Sequence, residues 1–268
     1  MNEPLPDMPP ENANAPGTQT LSRGFAILEC VADGINDVKR LSERLEKPRS
    51  TMHRMLSTLV AEGYLHHVPQ QGYFLGPKLI RLGAAALQQR PLTGIAMPHL
   101  EKLAELSSDT THLAVLDGEM LLYLVKIPGR RGLEMRSQVG KRMPAASTGV
   151  GKGLMLGLPQ SDWQGMFNQA LAYSEADAHR PMLAPWDEFR ATMENYRDLG
   201  FSLDFEENEL GIRCVGSPIY DISNRAIAGI SVASAVPYMS EERMYALGPA
   251  VKMTAEAISR DLGWTGGK

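Results

Sequence analysis

From residue 20 onward the apolar positions of this chain fall first into helical periods and later into extended runs. Phe25, Ile27, Leu28 and Val31 make an amphipathic helix that ends near Asp33 and Gly34, with Cys30 packed beneath it as a small apolar residue. Val38, Leu41 and Leu45 mark a shorter helix. Met52, Met55, Leu56, Leu59 and Val60 then recur at i, i+3, i+4, i+7 and i+8, the stripe of one buried helix face. Pro48 suits the first turn of that helix and Gly63 its left-handed close. Only Glu46 and Lys47 separate the second and third helices, and so brief a turn forces the steep crossing of a helix-turn-helix. Two extended runs follow, 64–68 and 73–76, around a turn containing Gly72, and a hairpin in that place is a wing. His66 and His67 are adjacent strand positions that point to opposite faces, so packing or phosphate contact suits them better than one shared metal ion.

Pro77 opens KLIRLGAAALQQR, in which Leu79, Leu82, Gly83 and Ala86 form one small apolar face. Small residues let two backbones approach closely, and a reader of palindromes pairs with itself, so residues 77–92 are expected to be a linker and dimerisation helix. Beyond it the pattern predicts a helix with Leu100, Leu103, Ala104 and Leu106. Strands follow at 112–116 and 120–127, joined by Asp117-Gly118-Glu119, and another near 133–139. A glycine-rich helix start lies at 147–153, with helices at 160–172 and 186–199, strands at 201–205, 213–220 and 226–234, and a last helix at 241–262. Strands grouped with flanking helices indicate an α+β domain over 93–265, not a doubly wound one. The winged helix-turn-helix domain is expected over 20–76. Residues 1–19, rich in Pro, Asn, Glu and Ala with almost nothing to bury, read as a disordered tail.

Charge separates a DNA reader from an ordinary helical hairpin. Between Val38 and Arg54 six basic residues (Lys39, Arg40, Arg44, Lys47, Arg49, Arg54) face two acids (Glu43, Glu46). The whole chain carries a net charge of -4, which argues against nonspecific coating of nucleic acid. Only residues 17–82, nine basic against six acidic, form a basic block. Lys47, Arg49, Ser50, Thr51, His53 and Arg54 cluster at the turn and on the first turns of the third helix. Short hydroxyls let a helix come close to a phosphate backbone while Arg49 and Arg54 reach base edges. These six residues are the candidate contacts to a double-stranded, palindromic operator.

With 268 residues the chain can bury two cores. Its two cysteines, Cys30 and Cys214, stand in apolar surroundings without metal-ligand spacing, which fits free thiols in a reducing cytoplasm. No apolar run approaches the ~20 residues of a membrane span, and no secretory leader is evident. The segment STGVGKG fails both nucleotide-binding patterns. Gly153 follows Lys152 where Ser or Thr is required, Ala146 stands in place of the first Gly, and Leu154 breaks G-x-G-x-x-G. No cofactor is expected. What remains is a glycine-lined helix start, which either holds a small anion such as a carboxylate or caps a helix packed closely on a sheet.

The stretches LSRGFAILE, PRSTMHRMLSTLVAEGYL, YFLGPKLIRLG, HLAVLDG, VGKRMPAASTGVGKGLM, LDFEENELGIRCVGSPIYD and AIAGISV together resemble the IclR family of bacterial transcription regulators, from about Leu21 to Gly263. The resemblance implies a winged helix-turn-helix joined by a helix to a GAF-like domain that binds a small effector, working as a dimer or dimer of dimers. It maps the effector pocket onto Gly149 and Val150 at the helix start, Asp204, Cys214 and Ser231. Asp204 and Ser231 can bond a hydroxyl or carboxylic group, and Cys214 can line the site as a compact wall. A serine frequent two residues beyond Ser231 is Ala233 here, which removes one hydrogen bond to the ligand. Repression of a catabolic operon is the commoner mode implied by the family, with activation the alternative; a small carboxylate or sugar acid is the favoured effector, and an aromatic acid also fits the pocket's makeup.

An enzyme is the competing class. Cys214 with His112 or His99 could supply nucleophile and base, but a lone Cys in an apolar strand is usually core. Glu206, Glu207 and Glu209 could serve acid-base or metal chemistry, though acids in a turn before a strand are more often solvated or paired with Arg. A ligand-binding protein without DNA contact ranks between regulator and enzyme.

Overall fold

The computed structural model describes residues 19–88, 91–131, 135–176 and 181–266. The chain divides into two compact units, residues 1–86 and 87–268.

The first unit runs α1 (Gln19–Ala32), α2 (Val38–Arg44), α3 (Arg49–Ala61), β1 (Leu65–Val68), β2 (Gly72–Leu75) and α4 (Pro77–Gln88). Its core is Ile27, Val31, Leu41, Met52, Leu56, Leu65 and Tyr73. Of the expected α3 stripe, Met52 and Leu56 are fully buried, whereas Met55, Leu59 and Val60 pack half-buried against this core. Asp37 caps α2 by accepting the Arg40 N–H at 2.9 Å. Glu46 turns the chain with φ 52° and Gly63 closes α3 with φ 76°. Pro48 stands just before α3, at its cap, not within its first turn. β1 and β2 pair antiparallel from Leu65↔Leu75 to Val68↔Gly72. Asn36 straps this wing to the bundle, accepting from Tyr73 N at 2.8 Å and donating to Gln71 O at 3.0 Å. His66 stacks on Phe74 and His67 leans on Tyr73, and both wing histidines remain exposed.

Three expectations change here. Phe25 lies on the outside of α1, 55% exposed, because Ile27 and Val31 define the buried stripe and Phe25 sits about 200° around the helix from Ile27. The tail expected over 1–19 falls outside the described residues, apart from Gln19, which opens α1. The linker expected over 77–92 is a helix to Gln88, and a new helix begins at Pro91.

The second unit is built on a six-stranded antiparallel sheet in the order β5-β4-β3-β8-β7-β6, with β3 (Thr110–Asp117), β4 (Met120–Ile127), β5 (Arg142–Pro144), β6 (Ser202–Phe205), β7 (Ile212–Tyr220) and β8 (Ala226–Ala235). Leu113, Leu203, Val215, Ile230 and Val232 are fully buried in its core. The helices α5 (Pro91–Ser107) and α9 (Glu241–Asp261) pack on each other and on the sheet. Leu106, placed in the buried stripe of α5 by its spacing, is exposed. The short helix α6 (Gly149–Met155), buried along its whole length, lies on β6, β7 and β8, followed by α7 (Gln160–Glu175) and α8 (Trp186–Leu199).

Glycines make that close approach possible. A Cβ on Gly153 would meet Ser217 N at 2.5 Å and the Gly216 carbonyl carbon at 2.6 Å, and one on Gly216 or Gly229 would strike the backbone of α6. The glycine spacing that resembles a phosphate loop is therefore a helix-on-sheet contact.

The strand expected at 133–139 does not form over its described residues. Residues 135–139 are irregular, residues 133 and 134 lie outside the described residues, and the short edge strand comes later, at Arg142–Pro144. The backbone there is engaged differently. Met135 O and Ser137 O each accept the Lys126 ammonium at 2.8 Å.

Candidate functional site

Two surfaces stand out, one in each unit. In the first, Arg49, Ser50, His53 and Arg54 are exposed along one side of α3, and Lys47 and Thr51 are half-buried beside them. Lys47, Arg49 and Arg54 make no ion pair among the described residues. Basic side chains elsewhere in this unit do find partners, as Lys78 does with Glu62 at 3.1 Å. Free guanidinium and ammonium groups on a helix that presents small hydroxyls can neutralise phosphates and reach into a major groove. Of the six predicted DNA-contact residues, four are thus exposed and two half-buried.

In the second unit, a cavity of ≈ 230 Å³ opens between the start of α6, the sheet and the loops near residues 135–141 and 208–210. Gly149, Val150, Asp204, Cys214 and Ser231 all line it, although they come from four separate elements. Register explains the convergence. Asp204 pairs with Cys214 and Cys214 with Ala233, while Ser231 pairs with His112, placing these side chains on one face of the sheet. The Cβ of Gly149 would collide with Cys214, so only glycine lets the helix start sit there. Thr148 caps α6, its hydroxyl accepting Gly151 N at 3.2 Å. The N–H groups of Gly149 and Val150 form the positive end of the helix at the cavity wall, and that of Gly149 already donates to the Cys214 sulfur.

The polar groups are tightly committed. Asp204 accepts Glu207 N at 2.9 Å and also the Cys214 thiol. Burial raises the Asp204 carboxyl to about 7, with the nearby Lys152 ammonium pulling the other way. Lys152 itself is buried in α6 and donates to Glu207. Burial, then the adjacent Asp204, pushes the Cys214 thiol upward. Burial, then Lys126, drops His112 to about 3, so its ring is neutral, held between Ser137 Oγ at 2.8 Å and Ser231 Oγ at 3.4 Å. Tyr123 packs edge-on against His112, and burial raises its phenol. Met135, Met143, Ile212 and Ala233 supply apolar wall, and Ala233 offers no hydroxyl where a serine would.

This arrangement is suited to holding a small molecule. A thiol nucleophile requires a depressed pKa and a base within reach. Here the thiol is protonated and bonded to Asp204, while the neutral His112 is occupied by two serines. His99 pairs with Asp261 at 2.7 Å and does not line the cavity. Glu206, Glu207 and Glu209 are paired with Arg213, Lys152 and Arg136 respectively. No group of three metal-binding side chains occurs among the described residues. Among the cavity-lining residues that sequence reasoning did not assign to the site are His112, Tyr123 and Ser137. Alternation along 110–116 could place His112 on a face, but its pairing with Ser231 is 119 residues distant in sequence and carries no local signal.

Comparison with known proteins covers both units. Residues 20–69 match the IclR helix-turn-helix domain, and residues 84–260 match the bacterial transcriptional regulator IclR C-terminal domain. The regulator XynR of Escherichia coli is 28% identical over 252 residues, 93% of this chain and 99% of that protein. The acetate operon repressor of Salmonella typhimurium is 29% identical over 264 residues, 96% and 95% of the two chains. Among solved structures, the Thermotoga maritima IclR superposes with a TM-score of 0.74 at 27% identity, covering 91% of this chain and 99% of that one. No helix among the described residues is long and apolar enough to cross a membrane. With both domains matched in order and the relatives covered nearly end to end, the chain belongs to the IclR family of bacterial transcriptional regulators.

Proposed function

We propose that this protein is a cytoplasmic, ligand-controlled repressor, without enzymatic activity, that binds a palindromic operator as a dimer or dimer of dimers through Lys47, Arg49, Ser50, Thr51, His53 and Arg54. Its effector is a small carboxylate or sugar acid held by Gly149, Val150, Asp204, Cys214 and Ser231. The observation that carries the reading is the convergence of those five residues on one cavity of mixed polar and apolar lining, in a chain whose other unit presents cations that make no ion pair among the described residues. The named function of the Salmonella relative, repression of an operon, supports the sign of regulation. A carboxylate at the cavity accepts the Val150 N–H at the start of α6, while Ser231, and Asp204 in the fraction that carries a proton, donate to its oxygens or to a hydroxyl.

Binding alone releases nothing. The ligand must favour one arrangement of the DNA-reading units through its differential affinity for two states. Electrophoretic mobility shift on the region upstream of the protein's own coding sequence, with and without a panel of small carboxylates and sugar acids, tests the reading. A specific shift reversed by one ligand class supports it, and retention of the complex with every ligand, or the absence of any specific complex, contradicts it.

A further inference from the structure

The turn between β6 and β7 is fixed on both sides. Glu206 reverses the chain with φ 69°, Asp204 accepts the Glu207 N–H at 2.9 Å, and Ile212 N donates to Glu209 O at 3.1 Å. Asn208 is thereby held at the wall of the cavity. Its Oδ1 is buried and has no hydrogen-bond partner among the described residues. Buried side-chain atoms on Ser42, Thr93 and Arg213 share that state, but none of those residues lines the cavity. A buried amide oxygen without a partner costs the desolvation of that group, and its place beside a cavity is explained when a ligand supplies the partner.

The surrounding charges select the kind of partner. Glu206, Glu207 and Glu209 flank Asn208, and each is already paired, with Arg213, Lys152 and Arg136 respectively. On that turn an incoming anion meets three carboxylates and no free cation, so a neutral group suits it better. An amide oxygen needs a donor and its nitrogen an acceptor. A hydroxyl is both and satisfies the amide in either orientation of its O and N, whereas a carboxylate satisfies only the nitrogen. Tyr123 on β4 adds a second polar group of the same kind. It lines the cavity 5% exposed, and its phenol makes no hydrogen bond among the described residues. Burial above all keeps that phenol protonated, so it can donate to a ligand oxygen.

On the reading that the effector lies in this cavity with its carboxylate at the start of α6, we propose that Asn208 is a specificity-determining contact. With Tyr123 it reads a hydroxyl group separate from the carboxylate, and the effector is a hydroxylated acid, aliphatic or phenolic, rather than a simple carboxylate.

Calorimetry on the full chain compares matched acids that differ in their hydroxyl groups: glycerate with propionate, gluconate with hexanoate, and 4-hydroxyphenylacetate with phenylacetate. In at least one pair the hydroxylated acid should bind about fivefold tighter or more, since the other acid leaves a buried polar group unpaired. Whether an aliphatic or the aromatic pair shows the difference identifies the type of hydroxyl. Asn208→Leu should bring that ratio down toward unity by weakening the hydroxylated acid, while the affinity of its partner stays within about twofold. Its melting transition should be no lower than that of wild type, because the buried amide oxygen makes no bond in the folded chain. Tyr123→Phe, which removes only the phenol oxygen, should lower the ratio in part. Equal affinities within every pair, or an unchanged ratio in both variants, overturns the proposal, while weaker binding in Ser231→Ala keeps the effector in the cavity. Equal weakening of both acids in Asn208→Leu, with a lowered melting transition, makes Asn208 a structural residue of the turn and also overturns it. If no acid of either kind binds, or Ser231→Ala leaves binding unchanged, the placement of the effector itself fails and the proposal falls with it.

Discussion

The face of α3 and the cavity beside α6 are opposite solutions to recognition. At α3 the proposed contact side chains come from one continuous segment, stand exposed or half-buried, and the cations Lys47, Arg49 and Arg54 make no ion pair among the described residues. Around the cavity they come from separate strands, a helix and loops, are mostly buried, and are bonded to one another before any ligand arrives. A surface that meets a polyanion must keep its charges free, because each contact is made by displacing counterions. A pocket that meets a small molecule must fix its groups in advance, since every freely rotating side chain costs affinity on ordering. Tolerance to substitution should follow the same division.

The largest difference is expected in folding. Gly153→Val forces side-chain atoms into the backbone of residues 216 and 217 and should cost about 3 kcal/mol or more, read as a lowered unfolding transition of the second unit. Arg54→Ala should leave the melting transition within about 0.5 kcal/mol of wild type while costing about 1 to 3 kcal/mol on a specific operator site. If both variants melt alike, the division between a tolerant face and an intolerant cavity is wrong.

Between about pH 4 and 6.5 proton linkage should be dominated by the cavity. Asp204, raised to about 7 from an unfolded value of 3.8, keeps its proton in the folded state where the unfolded chain has lost it, so its contribution to stability falls between about pH 4 and 7. His112, lowered to about 3 from 6.5, stays neutral in the folded state where the unfolded chain is protonated, so its contribution rises between about pH 3 and 6.5. The two slopes oppose, each approaching about 1.4 kcal/mol per pH unit in the overlap. Stability measured by denaturant titration from pH 4 to 6.5 should therefore rise with pH in Asp204→Asn and fall with pH in His112→Gln, with wild type between them. Parallel profiles in all three proteins would remove the electrostatic description of the cavity.

The same division explains what could be read in advance. Helical period, turn length and charge placed α2, α3 and the wing, since each depends on residues a few positions apart. Phe25 escaped because apolar character alone does not say which side of α1 is buried. In the second unit most strands were legible, but residues 135–139 were not, because Lys126 holds their carbonyls in place of a strand ladder. Asp204, Cys214 and Ser231 were reached through family resemblance, whereas His112, Ser137 and Tyr123 depend on strand order and a cross-sheet register that no local pattern encodes.

The smallest expected effect is also the most decisive when measured crosswise. Ser231→Ala removes one hydrogen bond at the cavity, worth about 1 kcal/mol, and Arg54→Ala removes one contact at the reading face. For each variant, operator affinity without ligand and the ligand concentration that half-releases the operator are both determined on the upstream region. Ser231→Ala should raise the half-releasing concentration about fivefold and leave unliganded affinity at the wild-type value, while Arg54→Ala should weaken the operator complex and leave calorimetric ligand affinity unchanged. Equal ligand response in wild type and Ser231→Ala, repeated in the Ser231→Ala, Asp204→Ala double variant, would contradict the assignment of the effector to this cavity.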